Sequence, residues 1–285
     1  MSEISAKDVA ALRKATGAGM MDCKRALGES GGDIERAKTW LRENGLAGAS
    51  KRAGRSADQG AVEVIVNGTV GAVVEVNCET DFVAKGDDIT GMVSALTDQV
   101  VRGTDAGLED QPYDADPSLS VGEAAKTLGA KLGENVGLGR VARFEAGAGA
   151  IIDGYQHIQN GRGTIGVLVE LSGVDTADGK AREIAHDIAL HIASAGPRWV
   201  AREEVPAEVI EQERAVLETL TRNEGKPEQA VTKIVEGRLG GFFKENVLVE
   251  QGFVRDPKVS VGSLLTQLGP DVKVARFVRI KVGDE

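Results

Sequence analysis

Between residues 5 and 44 the apolar positions recur at helical spacing in three short runs, each closed by glycine. Ser5 stands at an N-cap position with Asp8 three residues on, and Val9 and Leu12 form the stripe that Gly17 ends. Met20 to Leu27 read as a second helix, broken by Gly31-Gly32. Asp33 caps a third, which carries Ile34, Ala37 and Leu41 up to Gly45. Met20 and Met21 are adjacent and cannot both face one core, so at least one is partly exposed. Residues 46–59 are small, polar and locally basic at Lys51, Arg52 and Arg55, and read as a linker with a frayed helix at its start. The basic triplet either meets an acidic partner or is simply solvated.

Beyond residue 60 the pattern changes to alternating and continuous apolar runs, and it occurs twice. Gly68-Thr69-Val70-Gly71-Ala72-Val73-Val74-Glu75-Val76 recurs as Gly163-Thr164-Ile165-Gly166-Val167-Leu168-Val169-Glu170-Leu171, an offset of 163 − 68 = 95. Asp116-Pro117-Ser118-Leu119-Ser120-Val121-Gly122 recurs as Asp256-Pro257-Lys258-Val259-Ser260-Val261-Gly262, an offset of 256 − 116 = 140. Val141-Ala142-Arg143-Phe144 recurs at Val274-Ala275-Arg276-Phe277, an offset of 274 − 141 = 133. Three matches in one order imply two related subdomains.

Each copy opens with a two-stranded hairpin, Gly60 to Val76 or Ala150 to Leu171. Asn67-Gly68 supplies the turn signal in the first. A helix follows, with Ile89, Val93, Leu96 and Val100 on one face, or Ile184, Ile188 and Ile192 in the second copy. A shorter helix (Val121 to Leu132, Val261 to Leu268) and a last strand (Gly139 to Glu145, Val272 to Val282) complete each copy. Strands, then helices, then a strand, without regular βαβ alternation, read as α+β with antiparallel sheets. The rise in offset from 95 to 140 places an insertion of 140 − 95 = 45 residues in the second copy, between about Ser194 and Asp256. Val209, Ile210, Val216, Leu217 and Leu220, then Val231, Ile234, Val235 and Leu239, flank a turn at Asn223 to Pro227, which predicts a helical hairpin with one apolar seam. The expected divisions are a three-helix head over 1–45, a linker over 46–59, and two core copies over 60–146 and 147–285. The hairpin occupies about 205–245 of the second copy.

Composition narrows the function classes. The formal charge is −10, with 34 Lys and Arg against 44 Asp and Glu, so a broad nucleic-acid footprint is not expected. Two cysteines, Cys23 and Cys78, make no disulfide framework. No secretion signal, transit peptide or membrane span is read, which points to the cytoplasm. Gly161-Arg162-Gly163-Thr164-Ile165-Gly166 has the glycines of a dinucleotide fingerprint but precedes a strand instead of following one. His186 and His191 are five apart, which does not align them for a shared metal, and no nucleophile, base and orienter set is present. Neither catalytic residues, a metal nor a cofactor is expected.

One stretch is unusual for a connection: Asn77-Cys78-Glu79-Thr80-Asp81-Phe82-Val83-Ala84-Lys85-Gly86, between a strand and a helical pattern. Loops there usually carry small polar residues. Phe82 either folds back into the core or projects as a wedge for a partner.

This stretch, with Arg13-Lys14-Ala15-Thr16-Gly17-Ala18-Gly19-Met20-Met21-Asp22-Cys23-Lys24, Gly133-Glu134-Asn135, Tyr155-Gln156-His157 and Val235-Glu236-Gly237-Arg238, closely resembles the elongation factor Ts family over nearly the whole chain. The resemblance implies a head similar to ubiquitin-associated domains, a duplicated α+β core and an inserted helical hairpin. It implies a guanine nucleotide exchange factor that performs no covalent chemistry and binds elongation factor Tu, both GDP-bound and nucleotide-free. In such proteins Asp81 and Phe82 would wedge beside the partner's magnesium site, and Thr80 to Val83 would dislodge the ion. His157 would lie near the partner's phosphate-binding loop, although a locally bonded strand-end histidine is the plain alternative. Leu132 and Gly133 would touch the partner beside the wedge, and Met20, Met21 and Lys24 from the head. The hairpin would contact the partner elsewhere or pair two copies. Some family members continue into a C-terminal helix; here Glu285 follows the last strand, so that contact is expected to be absent. A passive binding module and a nucleotide-dependent enzyme are the competing classes.

Overall fold

A computed structural model describes residues 4–52 and 54–284, with the backbone alone over 46–52. Three helices form the head: α1 Ala6–Thr16, α2 Met20–Glu29 and α3 Ile34–Arg52. The Ser5 side chain accepts from the Asp8 amide, Gly17 closes α1 in the left-handed region, and Asp33 accepts from the Arg36 amide. Leu12, Cys23, Ala26, Leu27 and Ala37 form a small core.

The end expected for the third helix at Gly45 is wrong. α3 runs on to Arg52, through the stretch read as linker. Glycine costs about 1 kcal/mol inside a helix. Here it permits a close approach instead: a Cβ on Gly45 would lie 3.2 Å from that of Ala130 in the core. The side chains of Lys51 and Arg52 lie outside the described residues, but Arg55 pairs with Glu79 at 3.4 Å and is not simply solvated.

The first copy contains β1 Gln59–Asn67, β2 Val70–Cys78, the single turn α4 Asp81–Ala84, α5 Asp87–Arg102, β3 Pro112–Tyr113, β4 Asp116–Ser120, α6 Val121–Leu132 and β5 Gly137–Glu145. The second contains β6 Ala150–Gln159, β7 Arg162–Ser172 and α7 Gly179–Ala195. The inserted helices α8 Ala207–Asn223 and α9 Glu228–Asn246 follow, then β8 Gly252–Phe253, β9 Asp256–Ser260, α10 Val261–Thr266 and β10 Lys273–Lys281. The short pairs β3–β4 and β8–β9 escaped the sequence reading.

Each copy has one three-stranded antiparallel sheet, in order β1-β2-β5 and β10-β7-β6. The sheets pack face to face through Val62, Val73, Phe144, Ile152, Leu168 and Ile280. Glycine makes the approach possible: a Cβ at Gly71 would meet Ile152 at 2.7 Å, and one at Gly166 would meet Val73 at 2.7 Å. α5 covers the outer face of the first sheet with Ile89, Val93, Leu96 and Val100, and α7 covers the second with Ile184, Ile188 and Ile192. The result is four layers, helix, sheet, sheet, helix, an α+β fold with antiparallel sheets. Strands covered on both faces explain the unbroken apolar run at Val73-Val74. Burying each such side chain contributes roughly 1.5–3 kcal/mol.

The hairpin turn of the first copy is shifted by one residue from the Asn-Gly reading. Asn67 pairs with Val70, so Gly68-Thr69 form the loop, with Gly68 at φ 61°. It is the second hairpin, closed by Gln159 and Arg162, that turns on Asn-Gly, with Asn160 at φ 53° and Gly161 at 81°. Both positive angles suit the tight two-residue turn that matches strand twist.

The seam of the inserted hairpin also differs from the expectation. Val231, Val235 and Leu239 are buried, but Val216 and Leu220 point outward. Ile210, Leu217 and Thr221 share the inner stripe, at spacings a helix brings to one side. Thr221 is fully buried and stays satisfied, its hydroxyl donating to the Leu217 carbonyl at 2.6 Å and accepting from Arg238 at 3.3 Å. No helix among the described residues is long and apolar enough to cross a membrane.

Candidate functional site, a surface wedge and its clamp

β2 delivers the chain to the site. Cys78 ends the strand, fully buried, its thiol donating to the Thr80 carbonyl at 3.3 Å. Burial pushes that thiol up to about 11; the charge of Glu134 adds to the rise and that of Arg162 opposes it. Cys78 is therefore an inert packing residue. Thr80 then caps α4, its hydroxyl accepting from the Val83 amide at 3.3 Å. A cap followed by one helical turn turns three consecutive side chains in different directions. Ala84 is buried and Val83 packs on the first core, whereas Phe82 is 74% exposed.

The alternative in which Phe82 fills the core therefore falls. The ring stands in solvent with the Lys85 ammonium 4.3 Å from its centroid, and Lys85 also reaches Asp81 at 3.5 Å. The ring, the carboxylate and the ammonium form one small surface unit. Covering an exposed phenylalanine is worth roughly 1.5–3 kcal/mol, and here that gain is available only to a partner.

The turn is held from below by a residue the sequence reading quoted but gave no role. Glu134 accepts from the Glu79 and Thr80 amides, each at 3.1 Å, and from the Thr80 hydroxyl at 2.5 Å. Glu79 reciprocates, accepting from the Asn135 amide at 2.6 Å, while the Asn135 side chain donates to the Arg55 carbonyl at 3.0 Å. Gly133 ends α6 at φ 79°, which turns the chain so that Glu134 faces the wedge. The Gly133-Glu134-Asn135 triplet was a visible signal; its partner lies 55 residues away in sequence, beyond local pattern reading.

The other expected positions fall into three groups. Leu132 packs on the first core and Gly133 adjoins the clamp. His157 is exposed near the end of β6; its Nδ1 lies 3.4 Å from the Tyr155 hydroxyl, and its carbonyl accepts from Thr164. The far end of that hairpin reaches the wedge's own sheet, since Arg162 donates to the Gly60 carbonyl at 2.6 Å and Gln59 Oε1 at 2.9 Å. Gln59 and Gly60 pair with Cys78 and Asn77. Met20 and Met21 are both exposed, at 59% and 69%, and Lys24 is exposed with them. The α1–α2 loop just before them abuts α6: a Cβ at Gly17 would lie 2.9 Å from Lys131 Cε, one residue before Leu132. Contacts thus link the wedge to the head loop, the α6 end and the β6–β7 tip.

Residues 79–284 match the family described as Elongation factor TS. The chain belongs to the elongation factor Ts family. It is 46% identical to elongation factor Ts of Micrococcus luteus, with all of both chains covered. It is 44% identical to that of Streptomyces coelicolor, covering 99% of this chain and all of the relative. It is 42% identical to that of Rhodospirillum rubrum, covering all of this chain and 94% of the relative. Among the described residues of this family member, no cluster of three or more His, Cys, Asp or Glu side chains could hold a metal ion.

Proposed function

We propose that this protein binds elongation factor Tu in its GDP-bound form and speeds GDP release by disturbing the partner's magnesium and phosphate site, so that GTP can enter. The observation that carries the reading is Phe82, a large apolar ring held in solvent on a clamped turn, within the motif that resembles the family's. A magnesium ion needs near-ideal octahedral geometry and bridges protein to phosphates, so small shifts of its ligands weaken nucleotide binding sharply. Insertion of the ring supplies the binding energy for such a shift, with Asp81 and Thr80 to Val83 aimed at the ion's surroundings. Linkage requires reciprocity: GDP weakens this protein's binding by the factor by which the protein weakens GDP's. GTP then completes the cycle by displacing the factor.

His157 in this reading approaches the phosphate-binding loop, Leu132 and Gly133 flank the wedge, and Met20, Met21 and Lys24 add contacts from the head. The protein is an exchange factor without covalent chemistry, acting in the cytoplasm beside the translation machinery. The outward Val216 and Leu220 of the inserted hairpin support pairing of two copies there.

The test is release of a fluorescent GDP analogue from elongation factor Tu by the native chain and by Phe82→Ala. Fast release by the native form and a loss of about thirtyfold in the variant is the expected result. Equal release by both would move the origin of exchange to His157 or the head. No acceleration by the native chain would leave a binding module only.

A further inference from the structure

We propose that Arg55, in the segment joining the head to the core, is a positioning residue for the wedge: it closes a three-way brace with Glu79 and Asn135 that holds the turn carrying Phe82. The proposal rests on the exchange reading above and concerns how the wedge is held, which no contact with a partner supplies.

Arg55 lies between the end of α3 at Arg52 and the start of β1 at Gln59. By sequence it either meets an acidic partner or is solvated; the fold gives it an acidic partner within the chain. Its guanidinium reaches Glu79 Oε1 at 3.4 Å, and its backbone carbonyl accepts from Asn135 Nδ2 at 3.0 Å. The third side is the Asn135 amide, which donates to the same Glu79 oxygen at 2.6 Å. Each of the three residues is thus bonded to the other two, although 80 positions separate Arg55 from Asn135.

The brace sits directly under the wedge. Glu79 precedes the Thr80 cap, and Asn135 follows Glu134, which accepts from the Glu79 and Thr80 amides and the Thr80 hydroxyl. Two half-buried carboxylates, Glu79 and Glu134, therefore share the base of one turn, with Asp81 beside them. Like charges at a half-buried site oppose one another more strongly than in open water. Lys85 pairs with Asp81; among the described residues, Arg55 is the cation paired with the carboxylates of the base. Without it both charges are uncompensated and the turn loosens. The rest of the linker is held less firmly. The Ser56 hydroxyl donates to Asp58 within the linker itself, and a Cβ on Gly54 would meet nothing within 4 Å. The head presses on the same end of α6, where Gly45 meets Ala130. Head, linker and core thus converge on the base of the wedge, and Arg55 ties the linker to it. The Arg55 side chain is 56% exposed, so the expected effect is several-fold and not orders of magnitude.

Full-length native, Arg55→Ala, Arg55→Lys and Asn135→Ala chains would be compared in two measurements. One is amide hydrogen exchange of the free protein; the other is release of fluorescent GDP from elongation factor Tu at saturating factor. In free Arg55→Ala the Glu79, Thr80 and Asn135 amides should exchange about fivefold faster, with melting near native. Maximal GDP release should fall about fivefold in the same chain and by a similar amount in Asn135→Ala. Arg55→Lys keeps the charge and should return to within about twofold of native. Arg55→Ala added to Phe82→Ala should cost less than about twofold more, because a positioning residue acts only through the ring it positions. Native amide exchange in Arg55→Ala would overturn the proposal, and so would native GDP release beside faster amide exchange. An undiminished loss on top of Phe82→Ala would also overturn it, making Arg55 a direct contact with the partner. If the native chain releases no GDP, the exchange reading fails and this role falls with it, an outcome distinct from native release with silent Arg55 variants.

Discussion

The two copies of the core share a plan and differ in what they do with its ends. Both have a three-stranded antiparallel sheet under one long helix, and both bury a glutamate on the central strand against an arginine, Glu75 with Arg140 and Glu170 with Arg276. At the offset of 95 that relates the strands, Phe82 of the first copy corresponds to Ala177 of the second, where Asp178 caps α7 with no separate helical turn like α4 before it. α6 has 12 residues and ends in the glycine that aims Glu134 at the wedge, whereas α10 has 6. Most of the fall in offset from 140 to 133 is that shortening. The second copy spends its extra length on the inserted hairpin instead. Duplicated strands thus set the scaffold, and the segments after β2, α6 and α7 distinguish the copies.

The interiors diverge too. Leu96 is fully buried on α5, and at the same offset α7 carries His191, equally buried. His191 donates through Nε2 to Gln251 Oε1 at 2.9 Å and accepts at Nδ1 from the Val254 amide at 3.1 Å. Both nitrogens are committed to the neutral ring, and burial holds its pKa below the ordinary 6.5.

Substitutions that interchange the copies test this comparison. The largest effect is expected at the wedge. Phe82→Ala should cost about thirtyfold in GDP release, while Ala177→Phe in the second copy should change release by less than about twofold. A comparable loss from Ala177→Phe would mean that the segment before α7 also meets the partner. Glu134→Ala comes next: three donors at the base of the turn lose their acceptor, and release should fall about tenfold with little change in melting. Glu134→Gln, which keeps one acceptor oxygen, should recover part of it; no difference between the two variants would show that the clamp's charge and shape are irrelevant.

His191→Leu makes the second interior like the first. It strands Gln251 Oε1 and the Val254 amide and should destabilise by about 1 kcal/mol at pH 7 in denaturant titration. The pH dependence supplies a second readout. Because the folded pKa lies below 6.5, the unfolded chain binds the proton first as pH falls. The stability contributed by neutral His191 is complete above 6.5 and is lost as pH drops through the folded value. The variant should lack that slope; an unchanged slope would place the titration elsewhere. The smallest effect on exchange is expected from deletion of residues 206–240, which leaves the packing clusters of both sheets in place. One cooperative unfolding transition should remain, with release within about twofold of native. A broad, non-cooperative transition would make the hairpin part of the core.

What the chain determined by itself is what depends on near neighbours. Ser5, Gly17 and Asp33 mark helix ends because capping acts within one turn, and the apolar stripes of α5 and α7 follow from helical spacing. The duplication and the motif around Phe82 are written directly in the residues. Tertiary structure decided the rest. α3 continues through Gly45 because Ala130 packs against it, and Thr221 takes the seam in place of Leu220 because Arg238 satisfies it. The exposure of Phe82 depends on which side chains already fill the first core, and its support on Glu134, 55 residues away. The β6–β7 tip is held beside the same end by Arg162, which bonds Gln59 across 103 residues. Pattern reports which face of an element is apolar; only the assembled neighbours determine whether that face is covered, and by what.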